Sequence, residues 1–177
     1  MSVRLSLLAL LDQGASYGYQ LRTELDWRTG GTGPINVGQI YNTLDRLERD
    51  KLVRKTGENN YYEITDAGRA EVARWFTSPS PIAELPSKLA LASTLPGVDV
   101  AAILRTQRDA VQSALVVGHP TSSSDLAAAI LSVASAAAAR SEAELLDEVE
   151  RLLASGPAPT PISTDVPKRG RPAKASA

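Results

Sequence analysis

Five polar side chains between residues 36 and 52 have the types and spacing to bond nucleic-acid edges. Gln39, Asn42, Thr43, Arg46 and Arg49 alternate with Ile40, Leu44 and Leu47. The apolar three recur at three- and four-residue steps and so share the buried stripe of one helix. The polar five then fan over the opposite face. Gln and Asn bond adenine bidentately, and Arg bonds guanine or phosphate. An ordinary solvated helix face has the same look in isolation, so the flanking segments must decide.

Other chemistries find little support. The chain of 177 residues has no cysteine, which excludes disulfides, thiolate metal sites and cysteine nucleophiles. Its one histidine, His119, precedes a proline in a loop-like stretch, and a metal site needs several ligands. Glu142, Glu144, Asp147 and Glu148 cluster on a long helical stretch and read as a solvated face. The glycine-rich segment 28–34 lacks the lysine and preceding strand of a nucleotide loop. The reading is of a non-enzyme without a bound cofactor. A net charge of -1 gives no global sign, and 43% hydrophobic residues suffice for a core. Segment 5–11 is too short for a signal peptide, and no apolar run is read as approaching the ~20 residues of a membrane span. A cytoplasmic protein with no membrane contact is expected.

The elements around the polar face can be placed in order. Residues 2–12 are apolar nearly all round, so that helix must be buried on two sides, one facing its own domain and the other a second subunit. Ser16 is read as the cap of a helix over 17–27, in which Gly18 lets another backbone or a ligand approach. After a turn at 28–34 comes the polar-faced helix, with Asn36 as its cap. Residues 53–56 and 61–65 are short strands joined by a Gly/Asn turn. A helix over 67–76 follows and prolines near 79–81 end it. Helices at 84–95, 100–117 and 125–154 form a second unit, the last with an alanine-rich middle that lets helices approach closely. Three helices with so few large side chains make a thin core, which a dimer would cover. From Ser155 the composition turns to Pro, Ala, Ser and Thr and reads as disordered. The organisation is thus 1–78, 82–154 and a tail at 155–177. The fold class is mainly α with a small β-wing: a winged helix-turn-helix domain plus a C-terminal α-helical dimerisation domain.

Three patterns carry a family resemblance. Gly18-Tyr19 opens the second helix; Gly38, Ile40, Tyr41 and Leu44 form the core of the third; Tyr61-Tyr62, Ile64, Thr65 and Gly68 end the wing. Together, over roughly residues 1–76, they resemble the PadR family of transcription regulators; the second half resembles its longer branch through residues 87–96. The resemblance implies a homodimer on double-stranded DNA, with each third helix in a major groove of a near-palindromic operator. It further implies repression relieved by a small aromatic or drug-like effector. Carried onto this chain, Tyr41 meets a phosphate, and Gln39, Asn42 and Thr43 are the candidates for base edges. Arg46, Arg49 and Lys51 position the backbone. Tyr17 and Tyr19 stand where the second helix could meet phosphate, although a core role suits Tyr19 equally. The usual basic wing tip is replaced by Gly57-Glu58-Asn59-Asn60, leaving Arg54 and Lys55 as substitutes. Lys168-Arg169-Gly170-Arg171-Pro172 is similar to the core of a minor-groove AT-hook, a candidate supplement to a weak wing. An effector site is expected at a dimer seam between the first helix and the C-terminal helices, lined by Trp27 or Trp75 if these are not core. The competing reading is a winged helix used only for protein association.

Overall fold

The computed structural model describes residues 2–30, 36–56, 61–117 and 126–162. Its elements are α1 (Val3–Gln13), β1 (Ser16–Tyr17), α2 (Gly18–Arg28), α3 (Val37–Arg49), β2 (Val53–Thr56), β3 (Tyr61–Ile64), α4 (Asp66–Thr77), α5 (Leu85–Thr94), α6 (Val100–Val117) and α7 (Leu126–Ser155). The fold is mainly helical, with one antiparallel sheet in the order β1-β3-β2. The wing pair registers Arg54 on Glu63 and Lys55 on Tyr62.

β1 corrects the expected start of the second helix. Ser16 pairs with Tyr62, and Tyr17 with Tyr61, so Ser16 is strand and Tyr17 is the cap. Gln20 Oε1 accepts the Tyr17 N–H at 3.0 Å. This side-chain bond satisfies a backbone donor at the strand-to-helix junction.

α1 is the central post of the N-terminal unit. Leu7, Leu8, Leu10 and Leu11 are essentially inaccessible, in one core with Leu21 and Leu25 of α2, Ile40, Leu44 and Leu47 of α3, and Val72 of α4. Leu91 and Leu95 from the α5 end join the same cluster. The helix is therefore covered on every side by its own chain. Its apolar circumference gives no support to the second subunit expected against it.

A second core gathers Leu85, Leu89 and Ala92 of α5, Ile103 and Leu104 of α6, and Leu146 of α7. The turn between the two units is held by buried polar groups. Gln107 brackets Ser80, accepting its N–H at 2.8 Å and donating to its carbonyl at 2.9 Å. Lys88, 1% exposed, donates to the Ser78 carbonyl at 2.6 Å and to Ser80 Oγ at 3.1 Å.

The segment after α7 starts as a strap, contrary to the disorder read from Ser155 onward. The Thr160 N–H bonds the Thr94 carbonyl at 3.2 Å, and Ile162 packs on the N-terminal core. The buried Arg28 fixes it: Nη2 donates to the carbonyls of Thr160 and Pro161 at 2.9 and 3.3 Å, and Nη1 to that of Thr94 at 2.6 Å. A composition-based reading misses this because the partner lies 132 positions away in sequence.

α7 divides into two halves. Its C-terminal half carries Leu146 and pairs Asp147 and Glu150 with Arg108 at 2.7 Å each. Its N-terminal half leaves Leu126, Ile130, Leu131 and Val133 between 59% and 75% exposed. By length and composition this helix is apolar enough to cross a membrane, with an 18-residue stretch of mean hydropathy 1.2. The expectation that nothing in the chain approaches that limit is corrected. Alanine at 127–129 and 136–139 raises the mean without making a run of large apolar side chains.

Candidate nucleic-acid interface

The interface is built on α3. Ile40, Leu44 and Leu47 are fully buried and clamp the back of the helix to α1 and α2. Asn36 caps it, its Oδ1 accepting the Gly38 N–H at 2.8 Å. On the front, Gln39, Asn42, Arg46 and Arg49 are exposed and Thr43 is half-buried. The Thr43 hydroxyl donates to the Gln39 carbonyl at 2.7 Å, which leaves its lone pairs as acceptors. Among the described residues no hydrogen bond or ion pair engages the side chains of Gln39, Asn42 or Arg46. Arg49 is held by Asp50, 3.2 Å away.

Tyr41 sits at the edge of this face, 36% exposed, its ring against Gly18. A Cβ on Gly18 would stand 2.7 Å from Tyr41 Cε1. The space that Gly18 provides is therefore occupied by Tyr41 rather than by a ligand. Tyr17 lies beyond, its ring edge-on to Tyr61 with centroids 4.8 Å apart. Tyr19 is 55% exposed and so is not a core residue.

α3 ends in a Schellman motif. The Leu52 N–H bonds the Leu47 carbonyl and the Lys51 N–H that of Glu48, both at 2.9 Å. This motif needs a left-handed residue after the cap, and Lys51 takes that role with φ 61°. Its backbone thereby stands at the junction of α3 and the wing, with the side chain exposed.

On the wing the two substitute cations differ. Arg54 is engaged across the strands by Glu63, Nε to Oε2 at 2.8 Å, so little of its charge is free. The Lys55 ammonium lies 5.4 Å above the Tyr62 ring. The Tyr62 hydroxyl chiefly raises its pKa above the ordinary lysine value; burial opposes this as the second influence, and Glu48 and Asp45 add smaller upward effects. Lys55 is thus a stable cation beside α3. The wing tip (57–60) and Lys168, Arg169 and Arg171 lie outside the described residues.

Two cavities adjoin the helical unit. One of about 430 Å³ lies within the chain, between the α1 end (Asp12, Gln13), Phe76 of α4 and Ile103 of α6. Another of about 470 Å³ is lined by Trp27, α5, α7 and the strap. Trp27 is 60% exposed. Trp75 instead stacks on Phe76 at 4.9 Å and packs on the N-terminal core, and it lines neither of these two cavities. Sequence reasoning missed Arg28 and Lys88, whose burial depends on distant partners. No group of three or more Asp, Glu or His suited to a metal occurs among the described residues.

Comparison with known proteins places this unit. Residues 7–74 match the transcriptional regulator PadR-like family. The probable transcriptional regulator Rv1176c of Mycobacterium tuberculosis is 35% identical over 86 residues, 45% of this chain and 46% of that protein. The chain thus spans about half the length of that curated relative. Among solved structures, Bacillus subtilis PadR in complex with operator DNA is 20% identical, over 86% of this chain and 97% of that one, at TM-score 0.38. The same protein in complex with p-coumaric acid gives 20%, 86%, 97% and 0.41. The Vibrio cholerae virulence activator AphA gives 18%, 87%, 97% and 0.40. The segment that matches the PadR-like family of transcriptional regulators, residues 7–74, is thus the winged-helix domain built around α3.

Proposed function

We propose that the protein is a sequence-specific DNA-binding repressor that acts as a homodimer on a near-palindromic operator. The observation that carries the reading is the two-sided α3: Ile40, Leu44 and Leu47 are fully buried behind Gln39, Asn42 and Arg46, which are exposed and whose side chains no hydrogen bond or ion pair engages among the described residues. A helix held so firmly from behind can enter a major groove without reorganising. Gln39, Asn42 and Thr43 read base edges; Tyr17, Tyr41, Arg46, Arg49, Lys51 and Lys55 set the register on phosphates. Arg54 contributes less, because Glu63 offsets its charge. The tail cations Lys168, Arg169 and Arg171 add minor-groove affinity.

The dimer reading rests on α7. Four large apolar side chains stand in water along its N-terminal half, an arrangement that monomeric soluble proteins avoid. A second copy of the helix, antiparallel or parallel, would cover them. The effector reading rests on the cavities beside the hinge of the two units.

The test is selection of bound sequences from random DNA by the purified full chain, with its mass measured by sedimentation. Enrichment of an inverted repeat with half-sites about one helical turn apart, bound by a dimer, supports the reading. Enrichment of A/T-rich DNA without symmetry would assign binding to the tail instead. No enrichment would leave the winged helix as a protein-association module.

A further inference from the structure

We infer that the cavity between α2, α5, α7 and the strap is a binding site for an uncharged, apolar small molecule, and that the strap is its lid. Its walls come from four separate stretches of chain. Trp27 stands on α2, Leu89 and Ala90 on α5, Val149 and Leu152 on α7, and Pro157 on the strap. At about 470 Å³ it has the size of an ordinary ligand site.

Its chemistry selects against charge. Among the described residues no Asp, Glu, Lys, Arg or His lines it, and the hydroxyl-bearing side chains in its wall are those of Ser93, Thr94 and Thr160. The Ser93 and Thr94 hydroxyls donate to the carbonyls of Ala90 and Leu91, both at 2.8 Å, so each has only acceptor capacity to offer. Arg28, the cation that pins the strap, is fully engaged: Nε by Glu24 at 2.8 Å and both terminal nitrogens by backbone carbonyls. A carboxylate entering this cavity would lose its water without gaining a counter-charge, which is prohibitive. A neutral apolar molecule would cover Trp27 and Leu152, now 60% and 61% exposed.

The site is wired to the DNA-binding unit by two features. The Arg28 guanidinium also lies 5.0 Å from the Trp27 ring, fixing the ring at the cavity mouth. The same arginine ends α2, whose other end holds Tyr41 through Gly18. An occupant that shifts Trp27 therefore acts on the helix behind the recognition helix. The regulatory meaning rests on the DNA-binding reading, whereas occupancy does not.

The experiment is a titration of the full chain, without DNA, with N-phenyl-1-naphthylamine, a neutral probe whose emission rises on leaving water. The anionic 8-anilinonaphthalene-1-sulfonate is the comparison. The inference expects saturable binding of one neutral probe per chain and at least tenfold weaker binding of the anion. Ala90→Phe, which fills the cavity, should weaken the neutral probe at least tenfold. Trp27→Ala, at an exposed position that the core does not need, should also weaken it, and both variants should keep the wild-type melting profile. Absent saturable binding, equal affinity for the anion, or binding indifferent to both variants would overturn the inference. So would loss of binding as the chain self-associates, since a second copy would then be the occupant. A DNA-selection failure alongside probe binding would sink the regulator reading and leave the site standing.

Discussion

The ring of Tyr41 lies on the bare Cα of Gly18, so close that a methyl group there would meet Cε1 at 2.7 Å and Cζ at 3.1 Å. The first residue of α2 thus sets where the tyrosine of α3 stands. Tyr41→Phe keeps the ring and removes only the hydroxyl. Loss of one hydrogen bond to a charged group is worth roughly 1.5–3 kcal/mol, so operator affinity should fall tenfold or more with the melting temperature unchanged. Gly18→Ala should lower both, because the ring must move. Quantitative gel shift and thermal melts on the two variants separate these outcomes; unchanged affinity in Tyr41→Phe removes the tyrosine from the interface.

Gly68 answers to a different neighbour. A Cβ there would stand 2.3 Å from the Leu52 carbonyl oxygen and 2.6 Å from Ile64 Cγ1. The oxygen already accepts from the Thr65 N–H at 3.0 Å and so cannot retreat cheaply. Gly68→Ala should destabilise by about 1–3 kcal/mol, read as a lower urea midpoint at constant slope.

Lys51 in the left-handed region carries a cost that glycine would not. Lys51→Gly should raise stability by about 1 kcal/mol. If its ammonium meets a phosphate, the slope of log affinity against log salt should also fall by about 0.9. A more stable variant with an unaltered slope would place Lys51 outside the contact set.

Lys88 should leave a mark on the pH dependence of stability. Burial lowers its pKa from 10.5 to about 8. Between those values the unfolded chain holds the proton that the native chain has released, so stability should rise with pH from about 8 towards 10.5. Below pH 8 both states are protonated, the desolvation cost is fully present and the contribution is flat. Denaturant unfolding of the wild type and of Lys88→Met across pH 7–10 should show that rise in the wild type alone. Parallel curves would mean that the carbonyl and hydroxyl contacts hold the ammonium as firmly as water does.

The winged helix was legible because its signals are local. Ile40, Leu44 and Leu47 declare the buried side of α3 within about two helical turns, and Tyr61 to Ile64 declare a strand within four residues. The same holds for Asn36, whose capping partner is two residues away. What could not be read depends on distance along the chain. β1 is two residues long and exists only because β3 offers it a backbone edge. Arg28 looks like the first residue of a polar turn until Thr94, Thr160 and Pro161 surround it. Lys88 reads as a surface lysine, yet Ser78, Ser80 and the Trp75 ring enclose it. Even α1, correctly seen as apolar all round, carried no information about whose side chains would cover it.

The clamp on Arg28 also orders events during synthesis. Its guanidinium is buried; Glu24 precedes it and the Thr94 carbonyl follows 66 positions later, but the carbonyls that take Nη2 belong to residues made 132 and 133 positions later. At about 5–20 residues per second, the nascent chain extends for on the order of ten seconds before that last nitrogen finds its partners. The end of α2 must stay hydrated until the strap emerges, so the winged-helix unit reaches its finished form only after residue 161 has been made. A nascent segment that stops short of the strap therefore lacks the completed α2 terminus.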